Sequence, residues 1–461
     1  MLLFILVSVS PTFSQVPPAQ EKANGGSFEP IKQEDRILIL APHPDDEAIG
    51  CAGVIQQAIK AKAKVEILYL TNGDHNQFAF IVYEKRLTFK KGEFIHMGEL
   101  RKKEAIKAMA LLGLDRDDLI FLGYPDFGTF TIFSQYWQSK KPFRDLLTRI
   151  SSVPYKDNLS FGAPYTGESI LADLKKVLLD YKPNKIFVSH PADVNPDHKS
   201  LYLFLQIALR DLKQEFPQPK IYPYLIHCVG WPLPRHYHPE LNLEPPAKFS
   251  NTEINWERLK LTPQQLDKKY QAILCYKSQT ESSAFYLFSF ARKNELFGDY
   301  PKIKLEKQVS LKERAVSFFG FSDMFPGSEV GRVSDTHDVG SDNGQVSYAI
   351  ADDCFLVRLE KTGEFKRDFT FLLFIFGYSD KTPFPQMPKI RIFVKNKRFK
   401  MFVNKKRIKS EEIFLESGPH TLTLKIPLRV LGNPDFIVTS LKAYGGILPV
   451  DTSSFRKIEI R

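Results

Sequence analysis

The sequence predicts an α/β domain with a Rossmann-like parallel sheet and helices on both of its faces, followed by a C-terminal β-sandwich. Two observations support this fold class. Apolar runs alternate with segments of helical periodicity in the first part of the chain, whereas short strand-like runs dominate beyond about residue 300. With 461 residues and 43% hydrophobic content, the chain can also fill two cores. We therefore expect the α/β domain at residues 30–300 and the sandwich at residues 310–461.

The elements of the α/β domain are predicted from short apolar runs and from apolar residues that recur at helical spacing. Strands and helices alternate, which favours a parallel sheet because parallel strands need a crossover connection. In chain order they are strand Ile37–Leu40, helix Ala48–Ala63, strand Val65–Leu70, helix Leu100–Leu112, strand Leu119–Leu122, helix Glu168–Tyr181, strand Ile186–Ser189 and a helix that ends near Leu212. The C-terminal strands are predicted at Val346–Ala351, Cys354–Leu359, Phe369–Phe376, Ile390–Val394, Phe399–Val403 and His420–Ile426.

The most informative segment is the polar turn that follows the first predicted strand. It reads Ala-Pro-His-Pro-Asp-Asp-Glu and places His43, Asp45, Asp46 and Glu47 at the start of a helix. One imidazole and three carboxylates so close together are costly unless a cation or hydrogen-bond donors offset their charge. Helix capping by the aspartates alone would leave His43 without a role, so we favour a metal site.

A second polar turn, His190 to His198, follows the predicted strand that ends at Ser189. The carboxyl ends of parallel strands are where α/β sheets hold ligands, so the two turns can converge. His43, Asp46 and His198 would then supply two nitrogens and a carboxylate, the ligand set of a hydrolytic zinc ion, although other divalent metals fit as well. Asp45 is the expected general base for a water molecule that the metal activates.

At these residues the chain resembles the PIG-L or LmbE-like family of zinc-dependent N-deacetylases, which release acetate from N-acetylglucosamine-type sugars. The Pro-His-Pro-Asp-Asp-Glu turn is complete, and the later Pro-Asp-His occurs at residues 196–198. The resemblance spans about residues 35–300 and implies His43, Asp46 and His198 as zinc ligands, Asp45 as base, and Arg101 as a substrate contact. We include Asp197 as a second substrate-binding residue. Other family-like stretches are Leu70–Asp74, Arg101–Glu104, Leu122–Asp126 and Ser278–Gln279.

One position departs from the family pattern. The family usually carries a second histidine three residues before the last ligand, where it polarises the carbonyl, but this chain has Asn195. An asparagine amide can hold the carbonyl oxyanion by a hydrogen bond but cannot transfer a proton. Turnover would then be slower or the substrate different, and protonated Asp45 would return its proton to the amine. His190 and His227 are candidate replacements, although a structural role is at least as plausible for each.

Two predicted rim loops, residues 75–98 and 127–166, are long enough to shape a substrate site. Their aromatic side chains could stack on sugar rings or could form small cores within the loops, and the sequence does not separate these interpretations. The residues concerned are Phe78, Phe80, Tyr83, Phe130, Tyr136 and Trp137.

The net charge of +11 is modest for this length, so a generally basic surface is preferred over a role in nucleic-acid binding. The densest basic run, Lys389–Lys409, alternates with apolar residues and predicts a basic hairpin. Its preferred role is to keep a sheet edge soluble. The functional alternative is a patch for an acidic polysaccharide, such as a cell-envelope polymer, with steep salt dependence.

Residues 1–14 resemble a short secretory signal, which predicts an exported protein in the periplasm or outside the cell. We expect no integral membrane segment, because no later run reaches the ~20 apolar residues of a membrane span. The cysteines are most simply buried thiols, although export would permit one bridge among the first three. They are Cys51, Cys228, Cys275 and Cys354.

Fragments of the C-terminal region, residues 338–344 and 426–432, resemble parts of DOMON-like or carbohydrate-binding sandwich domains. A calcium ion could bind there to Asp335, Asp338 and Asp342. We prefer the interpretation that these residues form turns, because Asp and Gly are ordinary turn formers.

The sequence thus predicts a zinc-dependent hydrolase that removes an acetyl group from an N-acetylated amino sugar or glycoconjugate. Two alternatives stay open: a glycan-binding protein with a weakened deacetylase domain, and a zinc amidase that acts on a non-sugar amide.

Overall fold

The computed structural model describes residues 25–75, 90–249, 254–308, 319–321, 344–361, 365, 369–395, 397–445 and 448–461. Several predicted features lie outside these residues. They are the signal segment at residues 1–14, the loop aromatics Phe78, Phe80 and Tyr83, and the calcium candidates Asp335, Asp338 and Asp342.

An eight-stranded, mostly parallel sheet forms the centre of the first part of the chain. Its strand order is β1-β7-β8-β6-β5-β2-β3-β4, and β8 runs antiparallel to β6 and β7. This arrangement confirms the predicted mixed α/β fold. The strands are β1 Gly25–Ser27, β2 Arg36–Ala41, β3 Lys64–Thr71, β4 Leu119–Tyr124, β5 Lys185–Ser189, β6 Lys220–Tyr224, β7 Asn255–Lys260 and β8 Asn294–Asp299.

Helices cover both faces of this sheet. Alternate residues of β2 and β3 point into two separate hydrophobic clusters, one with α1, α2, α6 and α7 and the other with α3, α4 and α5. The uninterrupted apolar run of β2 therefore reflects a strand buried on both sides. The helices are α1 Asp46–Ala61, α2 Lys91–Leu112, α3 Thr129–Gln135, α4 Gly167–Tyr181, α5 Pro196–Asp211, α6 Pro263–Leu274 and α7 Lys277–Leu287.

Local sequence explains where several helices begin. Thr262 and Gln265 form a capping box at α6, and the Thr166 side chain accepts a hydrogen bond from Ser169 N at α4. At α5, the Asn195 side chain caps the helix and Pro196 occupies its first turn. Such caps satisfy backbone N–H groups that the helix itself leaves unpaired.

Two predicted loops contain helical structure. Helix α2 begins at Lys91 rather than at Leu100, because Phe94 and Met97 extend its buried face. Helix α3 lies inside the predicted loop at residues 127–166. Trp137 is only 2% exposed and packs in the core, so it is not a surface platform for sugars, while Phe130 and Tyr136 pack partly buried against the same cluster.

The C-terminal region is strand-rich, as predicted. One sheet has the order β10-β12-β13-β19-β18 with β11 beside β12, and the other has the order β17-β16-β15-β14-β20-β22-β9 with β21 beside β20. Both contribute side chains to one hydrophobic cluster. The strands are β9 Ile303–Leu305, β10 Lys307–Gln308, β11 Phe319–Phe321, β12 Gly344–Ala351, β13 Cys354–Lys361, β14 Phe369–Tyr378, β15 Lys389–Lys395, β16 Arg398–Val403, β17 Lys406–Ile408, β18 Phe414–Ser417, β19 Thr421–Pro427, β20 Phe436–Gly445, β21 Leu448–Thr452 and β22 Arg456–Ile460.

Aromatic side chains join the two regions. Phe133 on α3 is fully buried, and its ring lies 4.9 Å from Phe204 of α5 and 5.1 Å from Phe376 of β14. We expect Phe133→Ala to destabilise the protein by about 3–5 kcal/mol, because it removes a buried ring and leaves a cavity. Urea unfolding measures this change. The control Phe161→Ala replaces a ring that is 56% exposed, and an equal loss in both variants would contradict the packing role.

The four cysteines are free in this structure, and three of them are buried, as expected for apolar thiols. Among the described residues, no helix is both long and apolar enough to cross a bilayer.

Candidate active site

The two predicted polar turns meet at the carboxyl ends of β2 and β5, which are neighbouring parallel strands. His43 follows β2, Asp46 begins α1, and His198 lies in the first turn of α5. The Oδ2 atom of Asp46 lies 3.1 Å from Nδ1 of His43 and 3.1 Å from Nε2 of His198. The three side chains are almost completely buried. They form one of three overlapping groups that could hold a metal ion.

Carboxylates also face the outer nitrogens of both imidazoles. Nε2 of His43 lies 3.1 Å from Asp126 and 3.2 Å from Asp197. Nδ1 of His198 lies 3.1 Å from Asp193. Each ring is therefore held between Asp46 on one side and an outer carboxylate on the other, the arrangement in which carboxylates orient metal-binding histidines.

These charges shift the pKa values of the cluster. Burial alone would lower the pKa of both histidines, but the surrounding carboxylates raise that of His43 well above its usual value and that of His198 to about 9. Burial opposes ionisation of Asp46 as well, yet the two histidines hold its pKa well below the usual range. A metal ion that binds this group must displace the histidine protons.

Asp45 is the N-cap residue of α1 and has a φ of 129°, a conformation that favours glycine. Such backbone strain is typical of functional sites. Its Oδ1 lies 3.2 Å from Nη2 of Arg101, and its N–H donates to Glu47. Burial raises the pKa of Asp45 to about 6, and the Arg101 guanidinium opposes that increase.

Arg101 was predicted to contact substrate, but it is only 3% exposed. Its guanidinium donates to the carbonyls of Gly73 and Pro44 as well as pairing with Asp45. Arg101 therefore holds Asp45 and the first turn in position, and its contact with substrate stays a prediction.

Asp197 was also predicted to bind substrate, which stays a prediction, and the structure shows its protein contacts. The side chain is fully buried, and its two oxygens accept hydrogen bonds from Phe127 N and from Thr129 N and Oγ1. The carboxylate also faces His43. Asp197 therefore connects the start of α3 to His43.

Asn195 lies at the edge of the cluster and is partly exposed. Its Oδ1 accepts a hydrogen bond of 2.8 Å from Asp197 N. This contact uses the amide oxygen, so the NH₂ group of Asn195 takes no part in the helix cap.

The two candidate replacement histidines differ sharply. His227 follows β6, its side chain is 32% exposed, its Nδ1 lies 3.3 Å from Asp193, and its ring centroid is 4.5 Å from that of His198. His190 is fully buried, accepts a hydrogen bond from Ala192 N and stacks on Trp256. Only His227 is therefore placed to act in the cluster, and His190 is a structural residue.

Burial lowers the pKa of His190 to about 3. Near pH 6.5 the His190 side chain takes up a proton in the unfolded chain but not in the folded one. The stability that His190 contributes is therefore fully present above that pH and is lost as pH falls toward 3. We expect a loss on the order of 5 kcal/mol from this group. The stability difference between wild type and His190→Gln, measured by urea unfolding, should be constant above pH 7 and shrink in acid. A constant difference down to pH 4 would contradict this assignment.

Two groups of buried residues support the site in ways the sequence pattern did not reveal. Glu47 accepts a hydrogen bond from Tyr276, and burial raises its pKa to about 8. Glu104 accepts hydrogen bonds from the Ser278 backbone and hydroxyl, which joins α2 to α7. The family-like stretches near these residues were visible in the sequence, but their contacts were not.

The fold and the site define an α/β domain with a buried cluster of histidines and aspartates, of the type that binds a metal, at the carboxyl ends of its strands. Residues 38–209 match the family model described as PIG-L: GlcNAc-PI de-N-acetylase. This segment is therefore a PIG-L domain, as the sequence motifs indicated. The matched segment ends before the C-terminal region, so the DOMON-like resemblance stays a prediction.

Among solved structures, the similarity to this chain is low. A conserved protein from Thermus thermophilus is 21% identical, with 53% of this chain and 80% of that chain covered and a TM-score of 0.32. The N,N'-diacetylchitobiose deacetylase from Pyrococcus horikoshii is 18% identical, with 53% and 70% covered and a TM-score of 0.32. The A40926 pseudoaglycone deacetylase Dbv21 is 16% identical, with 58% and 97% covered and a TM-score of 0.36. No curated protein matches the chain significantly.

Proposed function

We propose that this protein is a zinc-dependent deacetylase that hydrolyses the acetamide of an N-acetylated amino sugar or glycoconjugate. The observation that carries the proposal is the position of Asp46 between the inner nitrogens of His43 and His198, each ring being held from outside by another carboxylate. The family match of residues 38–209 supports the same reaction class.

The residues fit a divalent metal. The ring nitrogens of His198 face the carboxylates of Asp46 and Asp193, and all three side chains are buried, so negative charge is concentrated where a cation can offset it. Two imidazoles and a carboxylate suit zinc, and other divalent ions are compatible. His43, Asp46 and His198 would hold the ion, because Asp46 is the carboxylate that both histidines share. When bound, zinc acts as a Lewis acid toward the amide carbonyl and lowers the pKa of water.

The chain's own groups complete the proposed reaction. Asp45, held by Arg101, accepts a proton from the attacking water and later returns it to the departing amine. The contact between Arg101 and Asp45 limits the orientations of the carboxylate and so favours a single position for the base.

The NH₂ group of Asn195 is proposed to donate a hydrogen bond to the carbonyl oxygen as negative charge develops there. The Asn195 side chain is suited to this role because its oxygen is already occupied as the helix cap.

We propose that His227 also acts on the substrate, at the end of the site where Asn195 lies. Asp193 orients the His227 ring for this role. We expect His227→Gln to lower kcat by about 10–100-fold without loss of zinc, because a group that acts on the substrate is removed while the ligands stay. Steady-state kinetics and metal analysis of the same preparation measure both quantities. The exposed His96→Gln is the control, and an unchanged kcat in His227→Gln would exclude the role.

The substrate class is tested by amine release from a panel of N-acetylated sugars, with N-acyl amino acids as the comparison, using zinc-loaded protein that lacks residues 1–14. We expect sugar amides to be hydrolysed in preference. Preference for the amino-acid amides would identify an amidase for non-sugar substrates. Sugar binding without hydrolysis of any amide would support the glycan-binding alternative, which Asn195 motivates.

A further inference from the structure

The excess positive charge of this protein is concentrated in one short segment. Residues 389–409 contain ten lysines and arginines and no acidic residue, whereas the chain as a whole has a net charge of +11. Outside this segment, positive and negative residues nearly balance. The segment forms β15, β16 and β17, which lie at the edge of the larger C-terminal sheet.

The strand register places half of these cations on one face. Arg391 lies opposite Phe402, Phe393 opposite Lys400, Lys395 opposite Arg398, and Phe402 opposite Arg407. Opposed residues of an antiparallel pair share a face, so these seven side chains form one surface, called the basic face below. The alternate residues Ile390, Ile392, Val394 and Met401 point the other way and are buried.

The basic face also carries aromatic rings. Phe393 and Phe402 are partly exposed, and their ring centroids lie 5.5 Å apart in an edge-to-face arrangement. The four cations Lys395, Arg398, Lys400 and Arg407 around them are exposed, and none forms an ion pair with a carboxylate of the described residues. Solubility of a sheet edge requires charge but not exposed rings. Rings flanked by cations suit a ligand that has both apolar faces and negative groups.

This surface lies beside the helix that leads to the candidate active site. On the same face of the sheet, Phe374 opposes Arg391, and its ring packs 5.3 Å from Phe130 of α3. Lys405 Nζ lies 3.0 Å from the ring centroid of Tyr136, at the other end of α3. The start of α3 contacts Asp197 and thereby His43. Seven residues of helix span about 10 Å, so one extended polymer can contact both places.

We propose that the basic face binds an anionic polysaccharide, a chain of sugars that carries carboxylate or phosphate groups, and holds it beside the deacetylase site. The negative groups pair with the cations, and the apolar C–H faces of the sugars stack on Phe393 and Phe402. We choose a glycan over a nucleic acid because of the proposed function. The preference for an anionic ligand with apolar faces does not depend on that function, because it follows from the exposed cations and the partly exposed rings.

The test is binding of fluorescently labelled oligogalacturonate to the full chain, followed by anisotropy at low and high salt. We expect Lys400→Gln/Arg407→Gln to weaken binding about tenfold at low salt, since exposed charges act within a Debye length. The control Lys60→Gln/Lys107→Gln removes the same charge from exposed positions on α1 and α2 and should bind as wild type does. Equal weakening in both pairs, or no binding by wild type, would overturn the proposal.

Two further arms separate sugar recognition from general attraction of polyanions. Phe393→Leu/Phe402→Leu should weaken oligogalacturonate binding several-fold but leave polyglutamate binding unchanged, because polyglutamate has no sugar ring to stack. Single-stranded DNA that binds more tightly than oligogalacturonate would assign the face to nucleic acid instead. Because Asp45→Asn keeps the basic face intact, it should bind oligogalacturonate normally, so failure of hydrolysis and failure of binding are distinguishable.

Discussion

Replacing Asp45 by asparagine is expected to lower kcat by about 10²–10⁴-fold while the zinc content stays at the wild-type level. Asparagine has the shape of aspartate and can still accept a hydrogen bond from Arg101, so the local structure should be preserved. It cannot take a proton from water. The loss should therefore appear in kcat rather than in folding or in metal binding. Steady-state kinetics and metal analysis on the same preparation measure the two quantities.

The matched control is Asp157→Asn, the same change at an exposed position of the α/β domain. It should leave both kcat and zinc content unaltered. Full activity in Asp45→Asn would remove the general base from the proposed mechanism. Loss of zinc together with activity would instead make Asp45 a metal ligand.

The second large effect is expected for His198→Ala, which should weaken zinc binding by more than about 100-fold. The substitution removes the nitrogen that faces Asp46 and the nitrogen that faces Asp193. Zinc is held by few protein ligands, so the loss of one cannot be replaced by its neighbours. Zinc content after dialysis, and competition with a chelator, measure the change.

Graded variants make this test specific. Asp193→Asn, which alters an outer partner of His198 that also faces His227, should weaken zinc binding about 10–100-fold. His96→Ala changes an exposed histidine of α2 and should have no effect. If His198→Ala does not remain folded, His198→Gln provides a polar replacement of similar size. Wild-type zinc affinity in either His198 variant would show that the metal lies elsewhere.

Much of the α/β fold follows from the sequence because its strands are buried on both faces. The apolar runs of β2 and β5 were recognisable for that reason, and the helices between them have clear apolar faces. Strands β6, β7 and β8 were not predicted. Tyrosines and a proline in β6, and charged residues in β7, interrupt their apolar pattern, and pairing within the sheet stabilises them instead.

The candidate site was also predicted only in part from the sequence. His43, Asp45, Asp46 and His198 could be proposed from two short motifs, because each follows a predictable strand. Their partners could not. Asp193 was visible in the second motif, but nothing in its spacing shows that it faces both His198 and His227.

By itself, the sequence determined most of the strands and helices from β2 to α5 and the two polar turns that carry the candidate metal ligands, because local apolar patterns encode these features. Only the tertiary structure decided that Arg101 and Asp197 are buried positioning residues, that His227 rather than His190 joins the cluster, and that the basic face adjoins α3. Those outcomes depend on contacts between residues far apart in the chain. Burial and charge at such contacts are set by the packing of whole elements, which no local pattern records.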